Sequence, residues 1–133
     1  MAAGRYSFVI EQGTTVNFEI QYKDANGNPI DLTDYSGRLQ IRPNYADDTA
    51  TVYLTLSSSR NADGTGLNFS GSNGSTPPTS GSIGIYIASC TSSALDFNQA
   101  LYDLEIYSGS APCPYTVRIL EGQVKLSKEV TRL

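Results

Sequence analysis

The sequence predicts an all-β fold: an antiparallel β-sandwich of about seven to nine short strands with one short helical connector. Three observations lead there. Over residues 101–132, apolar and polar residues alternate through three successive segments, broken first by a Pro-containing loop and then by Glu121-Gly122. Charge is sparse, at 17% of residues. Polarity comes instead from Ser, Thr, Asn and Gln beside 12 Gly and nine Tyr, a strand- and turn-rich composition. Upstream, further alternating segments recur at regular spacing between turn residues. A closed barrel is the alternative arrangement. At 133 residues the chain is expected to form one domain, over residues 1–133, large enough to bury a core without metal or disulfide staples.

The elements follow in order. A first strand is expected over residues 6–11, with Phe8 and Ile10 inward, ending in a Gln12-Gly13 bend. A second runs over residues 15–23, where Val16, Phe18, Ile20 and Tyr22 alternate with Asn17, Glu19 and Gln21. Asn26-Gly27 marks a tight turn, because both residues tolerate positive φ. Pro29 then bends the chain, and Ile30 and Leu32 return to the core. A third strand over residues 37–42 turns Leu39 and Ile41 inward and Arg38, Gln40 and Arg42 outward, and Pro43 ends its pairing. Residues 44–50 read as a polar connection and residues 51–56 as a fourth strand. A loop or wide hairpin over residues 57–66 holds the turn Asn61-Ala62-Asp63-Gly64. A short strand over residues 67–69 precedes a low-complexity loop over residues 70–81. Residues 82–88 form a strand with Ile83, Ile85 and Ile87 on one face. Residues 91–95 form the helical connector, capped by Thr91 or Ser92. In the closing hairpin, placing apolar opposite apolar pairs Leu104 with Ile119 and Ile106 with Val117, and sets Glu105 opposite Arg118.

Composition narrows the chemistry. Net charge is −4 with no clustered Lys and Arg, which argues against phosphate-backbone binding and against an anionic membrane surface. No apolar run approaches the roughly 20 residues of a membrane span. The segment MAAGRYSFVIEQG lacks a signal-peptide core, so synthesis and assembly in a cytoplasm are expected. Cys90 and Cys113 are then expected to be free thiols. Histidine is absent, which removes the commonest general base, the commonest metal ligand and every imidazole-dependent triad. The sequence thus predicts no enzyme, no cofactor and no metal site.

The remaining candidates have bland readings beside the functional ones. The Asp24-Ala25-Asn26-Gly27-Asn28 run, with Asp31 beyond, has calcium-loop oxygens but no closing Glu, and reads as a hairpin turn. Asp103 with Glu105, or Asp47 with Asp48, offers paired carboxylates without a cleft to shift their pKa values. Asn68-Phe69-Ser70 and Asn73-Gly74-Ser75 match glycosylation acceptors but lack the secretory context that would use them. Arg38, Gln40 and Arg42 form an outward stripe that either answers acids on a neighbouring strand or docks another subunit. The Tyr set Tyr45, Tyr53, Tyr86, Tyr107 and Tyr115 could anchor interfaces.

Certain phrases carry a resemblance: EQGTT at residues 11–15, NGNPIDLTDYSGRLQIR at 26–42, GSIGIYIA at 81–88, SSALDF, and YDLEIY with VRILEGQVKLSKEVTR at the close. With them the chain resembles a family of small tailed-bacteriophage virion proteins. In layout it is similar to the immunoglobulin-like N-terminal domain of phage baseplate upper proteins. The resemblance spans nearly the whole chain except SGSNGSTPPTSG and SGSAPCP. It implies an immunoglobulin-like sandwich serving as a virion structural component, most of all in the tail, baseplate or fibre-adaptor region, with capsid decoration or a neck connector as the alternative. Partners would be other virion structural proteins in a multi-copy symmetric assembly, with neither nucleic acid nor membrane. Contacts are expected from an N-terminal arm (Arg5, Tyr6), the outward stripe (Arg38, Gln40, Arg42), the Gly/Ser loop (Thr76, Pro77, Pro78), Tyr107, and a C-terminal tail (Arg132). A rival of another class is a glycan-binding module that uses Tyr86, Tyr107 and Tyr115.

Overall fold

A computed structural model describes residues 4–43, 52–71, 77–109 and 114–128. Among these residues, two sheets face each other across one core, the expected sandwich. The larger has the order β1 (Gly4–Arg5), β9 (Tyr115–Ser127), β8 (Gln99–Ser108), β4 (Ser36–Arg42), β5 (Leu54–Ser57), and β2 (Phe8–Glu11) shares the β9 edge with β1. The smaller has the order β3 (Val16–Gln21), β7 (Ser82–Ile87), β6 (Gly66–Asn68). A five-residue helix, α1 (Ser89–Ser93), and a 3-10 turn at Pro78–Ser80 complete the elements. Residues 44–50 and 72–76, with Asp47, Asp48, Tyr45, Asn73, Thr76, Cys113 and Arg132, lie outside the described residues.

The period-two stripes build the core as expected. Ile10, Leu39, Ile41, Ile83, Ile87, Leu104 and Val124 are fully buried and come from both sheets. Each removes apolar area worth about 1.5–3 kcal/mol from water. Strand β7 is covered on nearly its whole length because it is central in the small sheet. The Asp24–Asn28 and Asn61–Thr65 segments close as type I turns with a following positive-φ glycine. Gly27 and Gly64 each donate N–H to the carbonyl three residues back, with φ of 83° and 92°. Asn26 therefore need not adopt positive φ, and the Asp24 carboxylate is occupied as the turn staple, accepting from the amides of Asn26 and Asn28.

Three expectations change. First, the sheet is not wholly antiparallel: β1 and β2 run parallel to β9, with Phe8 opposite Val124 and Ile10 opposite Leu126. The chain enters beside the strand by which it leaves, then changes sheets at Gln12-Gly13. Helix α1 pins that crossing. Ser92, fully buried, donates its hydroxyl to the Thr14 carbonyl (2.7 Å) and accepts from the Gly13 amide (3.1 Å). Ser92 and Thr91 are thus inside the helix and engaged elsewhere, and the N-cap position falls to Ala88, without a side-chain cap.

Second, the two segments on either side of Glu121-Gly122 form one thirteen-residue strand, with no turn between them. Inward residues change from odd (Val117, Ile119) to even (Val124, Leu126). A turn would produce that change, but so does a bulge. The register shows the bulge: Glu105 faces Arg118, yet Leu104 faces Leu120, so Ile119 is the extra residue. Third, the predicted pairing of Leu104 with Ile119 is accordingly one residue off, whereas Ile106 with Val117 and Glu105 with Arg118 stand.

Gly122 has a different task. A methyl group built on it would overlap the Tyr6 carbonyl and press on the Tyr102 ring. That absence of a side chain lets the entry arm lie against β9. The Tyr6 amide donates to the Glu121 carbonyl (3.0 Å), and the Tyr102 hydroxyl donates to the Tyr6 carbonyl (2.6 Å). The rings of Tyr6, Phe8, Phe18 and Tyr102 then fill the seam between the sheets. Gly122→Val should displace this arm and destabilise the domain by about 1–3 kcal/mol. Urea unfolding should show the lower midpoint, with faster hydrogen exchange at Tyr6 and Gln123.

Candidate interaction surfaces

The outer face of the large sheet carries most of the charged residues singled out from the sequence. Alternation places Arg38, Gln40 and Arg42 of β4 beside Asp103, Glu105 and Tyr107 of β8, and then Arg118 and Glu121 of β9. Arg38 Nε lies 3.0 Å from Glu105 Oε1, and its guanidinium carbon sits 5.0 Å above the Tyr107 ring. Because Arg38 holds Glu105, Arg118 turns to Asp103 (3.3 Å) and Glu121 (4.0 Å), although Glu105 is its direct register partner. Arg42 donates through Nε and Nη2 to the Gln40 side-chain oxygen, at 3.2 and 2.9 Å. The stripe is answered mostly by its own neighbours, which is the structural reading of its pattern.

The other sequence-predicted contact residues are dispersed. Arg5 is exposed on β1, opposite Glu121 in register. Tyr6 anchors the arm and remains 46% exposed. Pro77 is exposed, and its carbonyl accepts from both the amide and the hydroxyl of Ser80. Pro78 opens the 3-10 turn, and its side chain lies outside the described residues. The three tyrosines of the glycan reading do not converge. Tyr107 lies under Arg38 on the large sheet, Tyr86 faces outward from the small one, and Tyr115 is exposed near the start of β9.

The small sheet holds a feature that sequence reasoning missed. Asn17, Arg60, Asp63, Asn68 and Tyr86 rim a shallow concavity of about 290 Å³ floored by Gly84. Gly84 faces Glu19 on one side and Asn68 on the other; Tyr86 faces Asn17 and Gly66. A glycine inside an otherwise apolar strand was the available signal, because such a glycine often marks close approach by another group. Asp63 is held in place by the Thr65 amide, the Thr91 hydroxyl and the Cys90 thiol. Those hydrogen bonds, the Thr65 amide first, keep its carboxyl below the usual aspartate range.

Among the described residues no group of three or more His, Cys, Asp or Glu could hold a metal ion, and no helix is long and apolar enough to cross a membrane. No protein-family model matches the chain, and a search of curated proteins finds no match.

Asp103 is the carboxylate pushed the other way. Burial raises its pKa, and the Arg118 charge only partly opposes this. Asp31 is lowered by its hydrogen bonds to Thr33, and Asp96 by Lys128. In a carboxyl-carbon NMR titration, Asp103 should take up its proton before Asp31, Asp63 and Asp96 as the pH falls. An acid with a raised folded pKa favours folding below its unfolded value and loses that contribution as pH rises through the folded value. Asp103→Asn should therefore flatten the fall in urea midpoint with rising pH across that window. A double-mutant cycle on Arg38→Ala and Glu105→Gln should give a coupling of only about 0.2–1 kcal/mol, shrinking in high salt, because the pair is partly exposed.

Proposed function

We propose that this chain is a structural component of a bacteriophage particle, a tail, baseplate or fibre-adaptor domain that holds neighbouring subunits. The observation that carries this reading is the strand layout. β9-β8-β4-β5 lie over β3-β7-β6, the order G-F-C-C′ over B-E-D of variable-type immunoglobulin sandwiches. This order supports the immunoglobulin-like reading that the resemblance to phage baseplate upper proteins implies.

Mechanistically, such a domain works through its rims. Among the described residues β5, β6 and β3 each end a sheet, and sheet rims are where a neighbouring chain can add backbone hydrogen bonds. Val9 (56% exposed) and Tyr115 (64% exposed) add apolar contact area near the entry arm and the start of β9. The internally paired charges of the large sheet's outer face suit a rigid spacer, since they leave that face nearly neutral.

The test is immunogold electron microscopy of a phage particle made with an epitope-tagged copy of this chain. Label at the tail tip or baseplate is the expected result. Label over the capsid shell or neck would replace this placement with a decoration or connector role. A particle of normal composition with no label would overturn the reading.

A further inference from the structure

We propose that the concavity on the outer face of the small sheet is a binding subsite for one uncharged saccharide ring, stacked on Tyr86. The strand register leaves part of this face empty. Two rows cross the outer face, Asn17–Tyr86–Gly66 and Glu19–Gly84–Asn68. Gly84 puts no side chain on this face, and the concavity beside Tyr86 opens over it. Gly64 lies along the Tyr86 ring, with its Cβ position 3.4 Å away, and Gly66 makes room for the Ser57 carbonyl and for the Arg60 stem, whose side chain reaches the rim.

The rim carries both donors and acceptors. Among the described residues, no hydrogen bond or ion pair joins the Asn17 amide or the Arg60 guanidinium to another group, and both line the concavity. Asn68 commits its side-chain oxygen to the Ser70 amide, which fixes the NH2 as the free half. Asp63 is held rigidly by loop and helix contacts, yet its two oxygens retain lone pairs beyond those used. Sugar hydroxyls both donate and accept, so they need this mixture, and the apolar face of a pyranose needs an aromatic platform. A phosphate or sulfate accepts only, and would meet the fixed Asp63 charge with a single Arg60 to offset it. The volume, about 290 Å³, is at the small end of ligand sites, sized for one ring and not for a buried chain. The site is independent of where in a particle the domain stands.

The experiment is saturation-transfer NMR on the whole chain against glucose, galactose, N-acetylglucosamine, N-acetylgalactosamine and their disaccharides, with sulfated and phosphorylated hexoses as charged probes. An uncharged sugar should receive saturation and shift the amides of residues 17, 63–68 and 84–86. Asn17→Ala and Arg60→Ala change rim side chains that bond nothing within the described chain, so both should keep the native amide spectrum and weaken binding by about fivefold or more. Tyr86→Ser should abolish it. Silence from every uncharged probe at tens of millimolar would overturn the proposal. So would binding confined to the charged sugars, or binding that shifts other residues and ignores all three variants.

Discussion

The fold depends on the strand β9 being paired along both of its edges. One edge takes β8 over the whole hairpin; the other takes β1 and β2 in parallel. This arrangement is possible because Gly122 offers no Cβ where the Tyr6 carbonyl must pass. With the arm in place, Ile10 enters the core and the Tyr6–Phe8–Phe18–Tyr102 rings close the seam. Without it, β9 would present a bare edge beside an unsealed apolar gap.

The two outer faces of the sandwich use polarity in opposite ways. On the large sheet Arg38, Arg118 and Arg42 are spent on Glu105, Asp103, Glu121 and Gln40. On the small sheet Arg60 and Asn17 have no such partner among the described residues, and Gly84 leaves the concavity beside Tyr86 without a side chain at that position. Exposed pairs of this kind carry little net energy, which fits the spacer role proposed for the large sheet. The donors beside Tyr86 are the basis of the saccharide subsite proposed on the small one.

Much of the fold was legible in the alternation of side chains. Phe8 and Ile10, Leu39 and Ile41, and the Ile83–Ile85–Ile87 row all point where a period of two places them. Alternation is blind to what reverses it. The odd-to-even change near Ile119 reads equally as a turn or a bulge, and only pairing with Leu104 distinguishes them. Strand direction was likewise invisible, because β2 looks the same parallel or antiparallel to its neighbour. The arginine stripe was legible as a face, but its ion pairs required the cross-strand register. The concavity was the hardest to see: its residues are 17, 60, 63, 64, 68, 71, 84 and 86, scattered in sequence and brought together by strand pairings and loops.

The most direct measurement of the central claim is the set of interstrand nuclear Overhauser contacts around residues 115–127. Contacts of Phe8 with Val124 and of Ile10 with Leu126, in parallel register, and of Tyr102 with Gly122 across the β8 pairing are expected. Contacts between residues 119 and 124 of a local hairpin, with none from the entry arm, would mean that Glu121-Gly122 is a turn after all, and the account would fail.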